Sequence, residues 1–245
     1  KELNALYAQM GISPAVYAYG EAAIARLRER FDAIDQVAEY NQAKVLQAFR
    51  KNRVSATCFA ASTGYGYGDM GRDAIDRIAA KVFGAEAGFM RPSILSGTHA
   101  LTIGLFGILR PGDLMLSVAG KPYDSLEEVI GLCGTPGNGS LRDFGVNYDQ
   151  VDLTADGDFD YPAIEEKLRA AGDHAKMVFI QRSKGYLNRK TLSVAEIGEV
   201  TRFVKSISPD TYVVVDNCYG EFVETIEPTA VGADLIIGSL IKNPG

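Results

Sequence analysis

Apolar residues recur at helical spacing along the first fifty residues, which predicts a helical N-terminal region. Between residues 19 and 50 the pattern includes Ile24, Leu27, Phe31 and Ile34. Pro14 is suited to opening a short turn ahead of this stretch. A long amphipathic helix packs either on a partner subunit or on its own domain, and the pattern leaves both open.

Helical and extended patterns alternate after residue 70. The extended segments are 88–91, 114–118, 145–148, 177–181, 212–216 and 235–238. The helical segments are 73–83, 99–109, 125–131, 161–171 and 194–206, with a short turn at 229–231. This alternation predicts an α/β fold with a mostly parallel sheet in three layers, helices covering both faces. We assign residues 1–52 to an N-terminal helical arm and residues 53–245 to one large domain.

Composition excludes several protein classes. The chain is 47% hydrophobic and 23% charged, as a folded globular protein is. Its net charge is -6 and its 25 Lys and Arg are dispersed, so a nucleic-acid surface is not expected. Three cysteines and two histidines fit neither a disulfide framework nor a metal site. Neither a membrane span nor a signal-peptide core is visible, so we expect a cytoplasmic protein with no membrane partner.

Two predicted strands lead into charged residues. Asp216 ends the strand at 212–216, where a buried carboxylate needs a cation or a donor, such as a protonated cofactor ring. It can equally cap the next turn or bind a metal. Lys242 closes the apolar strand that begins at Leu235, and a desolvated amine there is nucleophilic toward aldehydes. It can also extend into solvent. Ser239 places a hydroxyl three residues earlier in the same region.

Two loops carry further candidate ligand contacts. Ser96, Gly97 and Thr98 precede an apolar helix, as in a phosphate-binding turn or a plain helix cap. Tyr123 follows the strand at 114–118, so its ring can stack on a planar cofactor or simply line the loop.

The glycine-rich segment around Tyr65 and Tyr67 is a loop. It lacks the Gly-Lys-Ser/Thr ending of a nucleotide-binding loop. Its tyrosines can instead reach a phosphate across a subunit boundary.

Together these residues, in this order, resemble the fold-type I pyridoxal-phosphate enzymes. Within them the chain is similar to the cystathionine/methionine lyase group, in particular the branch known as the methionine gamma-lyase family or aluminium-resistance protein. The residues that carry the resemblance are Ser96-Gly97-Thr98, Tyr123, Val215-Asp216-Asn217 and Ser239-Leu240-Ile241-Lys242-Asn243-Pro244-Gly245, supported by Thr63-Gly64-Tyr65-Gly66-Tyr67 and Gln181-Arg182-Ser183-Lys184-Gly185-Tyr186.

The resemblance implies a role for each candidate residue. Lys242 would bind pyridoxal 5'-phosphate covalently and move protons, with Tyr123 stacked on the ring. Asp216 would hold the ring nitrogen protonated. The phosphate would lie against Ser96, Gly97, Thr98 and Ser239, and Tyr65 or Tyr67 would complete the site of a neighbouring subunit. A homodimer or homotetramer with shared active sites is therefore expected.

The implied activity is a carbon–sulfur lyase acting by beta- or gamma-elimination on a small amino acid of the cystathionine, cysteine or methionine type. Another pyridoxal-phosphate activity, such as an aminotransferase or an aldolase-type lyase, remains open, as does a non-catalytic protein with this fold. Family members continue into a smaller C-terminal domain with an arginine for the substrate carboxylate, so this chain is expected to be the large-domain portion. Ile241 stands where better-known lyases carry a threonine, which removes one phosphate hydroxyl.

Overall fold

A computed structural model describes residues 2–244 of the chain. The chain forms two compact units, one up to Ala43 and the other from Lys44 onward, so the division falls within a helix. The N-terminal arm predicted from the sequence, residues 1–52, ends a few residues beyond this division, and the arm stays a prediction.

The N-terminal region contains the helices α1 (Glu2–Gln9), α2 (Pro14–Arg26) and α3 (Arg28–Lys51). Pro14 is the first residue of α2, where proline fits because the first helical N–H needs no partner, and the Ser13 hydroxyl accepts a hydrogen bond from the Val16 N–H at 3.3 Å. The prediction of a turn at Pro14 is therefore wrong. The predicted helical character of the first fifty residues is confirmed. The stretch 19–50 is divided between two helices, because Leu27 leaves helical geometry (φ -97, ψ 2) and separates α2 from α3.

The second unit alternates helices and strands. Its helices are α4 (Met70–Phe83), α5 (Gly97–Ile108), α6 (Asp124–Ile130), α7 (Tyr161–Ala171) and α8 (Val194–Ile207). Its strands are β1 (Leu114–Ser117), β2 (Asn147–Gln150), β3 (Ala175–Gln181), β4 (Tyr212–Asp216) and β5 (Leu235–Ile237). Short 3₁₀ helices occupy Ala56–Phe59, Gly172–His174 and Pro228–Val231. In the part of the chain that the structure describes, no helix is long and apolar enough to span a membrane.

The strands form one five-stranded sheet in the order β2-β1-β3-β4-β5, and every pair is parallel. This confirms the predicted α/β class with a parallel sheet. The register pairs Gln181 with Asp216 and Asp216 with Ile237, so three strands end at the same level. Residues that follow these strand ends are thereby brought to one edge of the sheet.

Alternate residues of the strands enter two separate hydrophobic clusters. From β3, Val178 and Ile180 pack in the cluster that contains residues of α7 and α8. Met177 and Phe179 pack in the cluster that contains residues of α5 and α6. Because side chains of a strand point alternately to opposite faces, the near-continuous apolar sequence of β3 reflects burial on both sides.

The predicted strand at 88–91 is absent, and contacts with α4 explain why. A Cβ on Gly88 would lie 2.7 Å from Ala80 N and Asp76 O, so this segment runs directly against the helix backbone. The Met90 N–H donates to Asp76 Oδ1 at 3.0 Å, and Arg91 forms a salt bridge with the same carboxylate. Side chains of α4 thus take the place of a strand partner. The strand predicted at 145–148 is displaced by two residues, to β2.

Candidate active site

A small cavity lies at the carboxyl ends of the strands. Of the residues singled out from the sequence, five line it: Gly97, Thr98, Tyr123, Asp216 and Lys242. Seven further residues complete the lining: Leu101, Ser125, Leu126, Ser183, Gly185, Cys218 and Tyr219. Parallel strands deliver side chains to this edge, where ligands of open α/β sheets bind.

Asp216 is the last residue of β4 and is only 5% exposed. Its Oδ1 accepts a hydrogen bond from the Cys218 N–H at 3.1 Å. Burial raises the pKa of Asp216, against the opposing effects of hydrogen bonds from Cys218 and the positive charge of Lys242. A buried carboxyl with this balance is suited to a ligand that brings a charged donor.

Lys242 reaches the cavity from a turn rather than from a strand. β5 ends at Ile237, and Lys242 is an exposed residue whose N–H donates to the Ser239 carbonyl at 2.9 Å. The expectation that it closes a buried strand is therefore wrong, because the chain turns outward after β5. Its Nζ lies 5.0 Å from the centre of the Tyr219 ring and 5.9 Å from that of the Tyr123 ring.

The N-terminus of α5 forms one wall of the cavity. The Ser96 hydroxyl caps the helix by accepting a hydrogen bond from the His99 N–H at 3.1 Å. The N–H groups of Gly97 and Thr98 lie in the first turn of the helix and therefore have no intrahelical partner. A Cβ on Gly97 would lie 3.1 Å from Cys218 Sγ and 3.6 Å from Lys242 Nζ, so glycine keeps this wall open. The hydroxyl of Thr98 is hydrogen-bonded to that of Ser125 at 2.6 Å.

Tyr123 is fixed by the end of β3. Its backbone N–H donates to Gln181 Oε1 at 2.6 Å, and Gln181 Nε2 donates to the Ser183 carbonyl at 3.1 Å. The Tyr123 ring lies 5.8 Å from the Tyr186 ring, and hydrogen bonding with Tyr186 raises the pKa of Tyr123. Tyr123 therefore stays a neutral phenol near pH 7.

The buried Arg182 holds the turn that follows Asp216. Its Nη1 donates to Asn217 Oδ1 at 2.9 Å and to the Gly220 carbonyl at 2.8 Å, and thus bridges both ends of the turn. Tyr219, inside this turn, has a left-handed backbone (φ 68), which costs free energy in a non-glycine residue. The Arg182 contacts hold this strained conformation, and with it the position of the Tyr219 ring near Lys242.

Four other predicted residues lie outside the cavity lining. Ser96 caps α5 directly before Gly97. Ser239 is buried next to it, with its Cβ 3.5 Å from where a Gly97 Cβ would lie. Tyr65 and Tyr67 are 82% and 90% exposed in their loop, and their cross-subunit role stays a prediction.

Ser125, Cys218 and Tyr219 were not predicted as site residues. Each follows a predicted residue within three positions, so proximity in sequence was the available signal.

Comparison with known proteins identifies the family. The family model for methionine gamma-lyase matches residues 16–245. The chain therefore belongs to the methionine gamma-lyase family.

Individual relatives and one solved structure extend the comparison. The uncharacterized protein YnbB of Bacillus subtilis is 54% identical over 225 residues, which are 92% of this chain and 52% of that protein. L-methionine gamma-lyase of Pseudomonas putida is 28% identical over 192 residues, covering 76% of this chain and 42% of the enzyme. A crystal structure from Clostridium novyi NT, described as a carbon-sulfur lyase involved in aluminum resistance, has a TM-score of 0.93 and 45% identity over 98% of this chain and 57% of that one. The chain thus spans about half the length of the curated relatives it matches.

Proposed function

We propose that this chain forms the cofactor-binding part of a pyridoxal-phosphate-dependent carbon–sulfur lyase that acts on a sulfur-containing amino acid. The observation that carries the proposal is the convergence of Lys242, Asp216, Tyr123, Gly97 and Thr98 on one cavity. Tyr123, Asp216 and Lys242 come at or after the ends of β1, β4 and β5, which lie in one parallel sheet. Gly97 and Thr98 reach the same cavity at the N-terminus of α5.

The residues present fit the cofactor. The cavity offers the primary amine of Lys242, the buried carboxyl of Asp216, the aliphatic hydroxyls of Thr98, Ser125 and Ser183, and the N-terminus of α5. A Cβ on Gly97 would narrow the cavity at that helix end. The helix N-terminus suits a phosphate, and the carboxyl suits a protonated ring nitrogen. When bound, pyridoxal phosphate supplies an aldehyde that captures an amino group and a ring that accepts electrons from the substrate.

Each residue has a task in this proposal. Lys242 would hold the cofactor through its amine and, once free, take the proton from the substrate's alpha carbon. Asp216 would keep a proton on the ring nitrogen, which sustains the ring's electron demand. Tyr123, fixed by Gln181, would cover the ring face. Gly97 and Thr98 would donate their free N–H groups to the phosphate.

The family and its relatives favour elimination as the reaction. Breaking the carbon–sulfur bond would release a thiol and leave a keto acid and ammonia after hydrolysis. Tyr65 and Tyr67 would complete the phosphate site of a second subunit in a homodimer or homotetramer, in keeping with their high exposure.

The test is a product screen of the full-length protein with bound pyridoxal phosphate. Cysteine, cystathionine and methionine are each supplied without a keto-acid co-substrate, and keto acid, ammonia and thiol are measured together. Equal amounts of the three products support the proposal. Keto acid that forms only when a second keto acid is added would identify an aminotransferase instead, and no product from any amino acid would favour a non-catalytic protein.

A further inference from the structure

Glu221 is a buried acid beside the candidate site to which the proposed mechanism gives no role. It lies in the loop after β4 and is only 1% exposed. Its Oε2 has no hydrogen-bond partner among residues 2–244. A fully buried carboxyl with an unpaired oxygen is costly, so its retention calls for a structural or functional reason.

The contacts of Glu221 converge on the turn that carries Lys242. Glu221 Oε1 accepts a hydrogen bond from the Ser239 N–H at 2.5 Å, and the Glu221 backbone carbonyl accepts one from the Asn243 side chain. The Ser239 carbonyl in turn accepts from the N–H groups of Lys242 and Asn243 at 2.9 and 3.3 Å. The turn is thus attached to Glu221 on both sides of Lys242.

The chain makes room for this contact at Gly238. A Cβ at that position would overlap the Glu221 carboxyl, so only glycine lets the carboxyl approach the backbone between β5 and Ser239. Tyr219 and Phe222, on either side of Glu221, both have left-handed backbones (φ 68 and 62). The loop therefore accepts strain while it presents Glu221 to the turn.

The surroundings of Glu221 favour its neutral form. Burial raises its pKa, and the negative charges of Glu227 and Asp216 raise it further, while the bond from Ser239 lowers it. A neutral carboxyl still accepts through Oε1, so its structural role does not depend on a negative charge.

We infer that Glu221 is a positioning residue: its carboxyl, bonded to the Ser239 N–H, and its backbone carbonyl, bonded to the Asn243 side chain, together hold the Ser239–Asn243 turn so that the Lys242 amine faces the cavity. The inference rests on the proposed function of Lys242.

Four variants test this role: Glu221→Gln, Glu221→Ala, Asn243→Ala and, as a control on the exposed surface of α8, Glu199→Ala. The full-length protein is saturated with pyridoxal phosphate, and total bound cofactor is compared with the fraction that borohydride fixes to Lys242. A merely structural defect would lower both quantities together, whereas a misplaced amine lowers the fixed fraction of the cofactor that is bound.

We expect Glu221→Gln to match the wild type within about twofold, because its amide oxygen keeps the acceptor for the Ser239 N–H. Glu221→Ala should lower the fixed fraction about tenfold, since a buried N–H is left without a partner. Asn243→Ala removes the hydrogen bond from the Asn243 side chain to the Glu221 carbonyl and should lower the fixed fraction about threefold. Glu199→Ala should leave it unchanged.

An unchanged fixed fraction in folded Glu221→Ala protein would overturn the inference. If Glu221→Ala does not fold, Asn243→Ala decides the matter, because an unchanged fraction there also overturns it. A wild type that fixes no cofactor at Lys242 would instead refute the proposed function itself, so the two failures are distinct.

Discussion

Arg182→Met should destabilise the protein strongly, because Arg182 satisfies several buried groups at once. Its side chain is 2% exposed. Besides its bonds to Asn217 and Gly220, its Nε donates to the Leu192 carbonyl at 3.1 Å, and its Nη2 forms an ion pair with Glu224 at 2.6 Å. Methionine fills much of the volume and offers no donor.

The magnitude follows from the groups left behind. Three acceptors, on Leu192, Asn217 and Gly220, lose a buried hydrogen bond, each costing about 1 kcal/mol or more. The carboxylate of the buried Glu227 also loses its neighbouring positive charge, because its Oε2 lies 3.9 Å from Arg182 Nη1. Breaking a buried ion pair from one side costs about 3–5 kcal/mol, and we expect a loss of free energy of unfolding in that range.

The loss of free energy of unfolding caused by Arg182→Met should grow with pH. Burial raises the pKa of Glu227, and the positive charge of Arg182 partly offsets this effect. Without Arg182 the pKa of Glu227 in the folded state rises further, so the folded variant binds that proton more tightly than the unfolded chain does. Its stability therefore falls as pH rises above the ordinary value of 4.5, and the deficit should be larger at about pH 8 than at about pH 5.

Urea denaturation of wild type and variant, followed by circular dichroism, measures this loss. Arg169→Met is the matched control, because Arg169 pairs with Glu165 on the exposed face of α7 with 64% of its side chain accessible. The control should change stability by less than about 0.5 kcal/mol. A loss below about 1 kcal/mol for Arg182→Met, or a loss equal in both variants, would refute the reasoning.

Three further predictions concern the site and its surroundings. Asp216→Asn should keep the fold and lower kcat on the order of 100-fold, because an amide cannot hold the ring nitrogen protonated; near-normal steady-state turnover would limit Asp216 to a structural role. Replacing Tyr65 and Tyr67 together by Phe should weaken cofactor retention in equilibrium dialysis, and mixing this protein with Lys242→Ala protein tests subunit sharing. Partial recovery of activity is expected if both lesions fall on one shared site, and no recovery despite proven subunit exchange would contradict sharing. Glu221→Gln should flatten the decline of unfolding free energy as pH rises above 4.5, since the pKa of Glu221 is raised in the folded state; an unchanged pH profile in urea titrations would show that Glu221 titrates normally.

Hydrophobic pattern alone predicted the elements whose sequence signals are local. β4 and α7 occur with the predicted ends, because continuous Val residues and an Asp-capped amphipathic stretch mark them unambiguously. The segment 88–91 looked equally extended, but its hydrogen bonds go to Asp76 of α4, a contact that no local pattern reports.

The candidate site shows the same division between local and tertiary information. Asp216 and Tyr123 could be found because Asp216 ends a recognisable strand and Tyr123 follows one. For Lys242 the sequence left both a buried and an exposed position open, because the choice depends on the turn after β5. Arg182 and Glu221 were also beyond reach as site-supporting residues, since their roles depend on partners 35 and 18 residues away in sequence.

The most direct measurement of the central claim is identification of the lysine that binds the cofactor. Full-length protein is incubated with pyridoxal phosphate, reduced with borohydride, digested and mapped by mass spectrometry, with Lys242→Ala protein in parallel. The account predicts a reduced cofactor adduct on Lys242 and none in the variant. An adduct at another lysine, such as Lys184 or Lys190, or an equal amount of adduct in the Lys242→Ala protein, would contradict it.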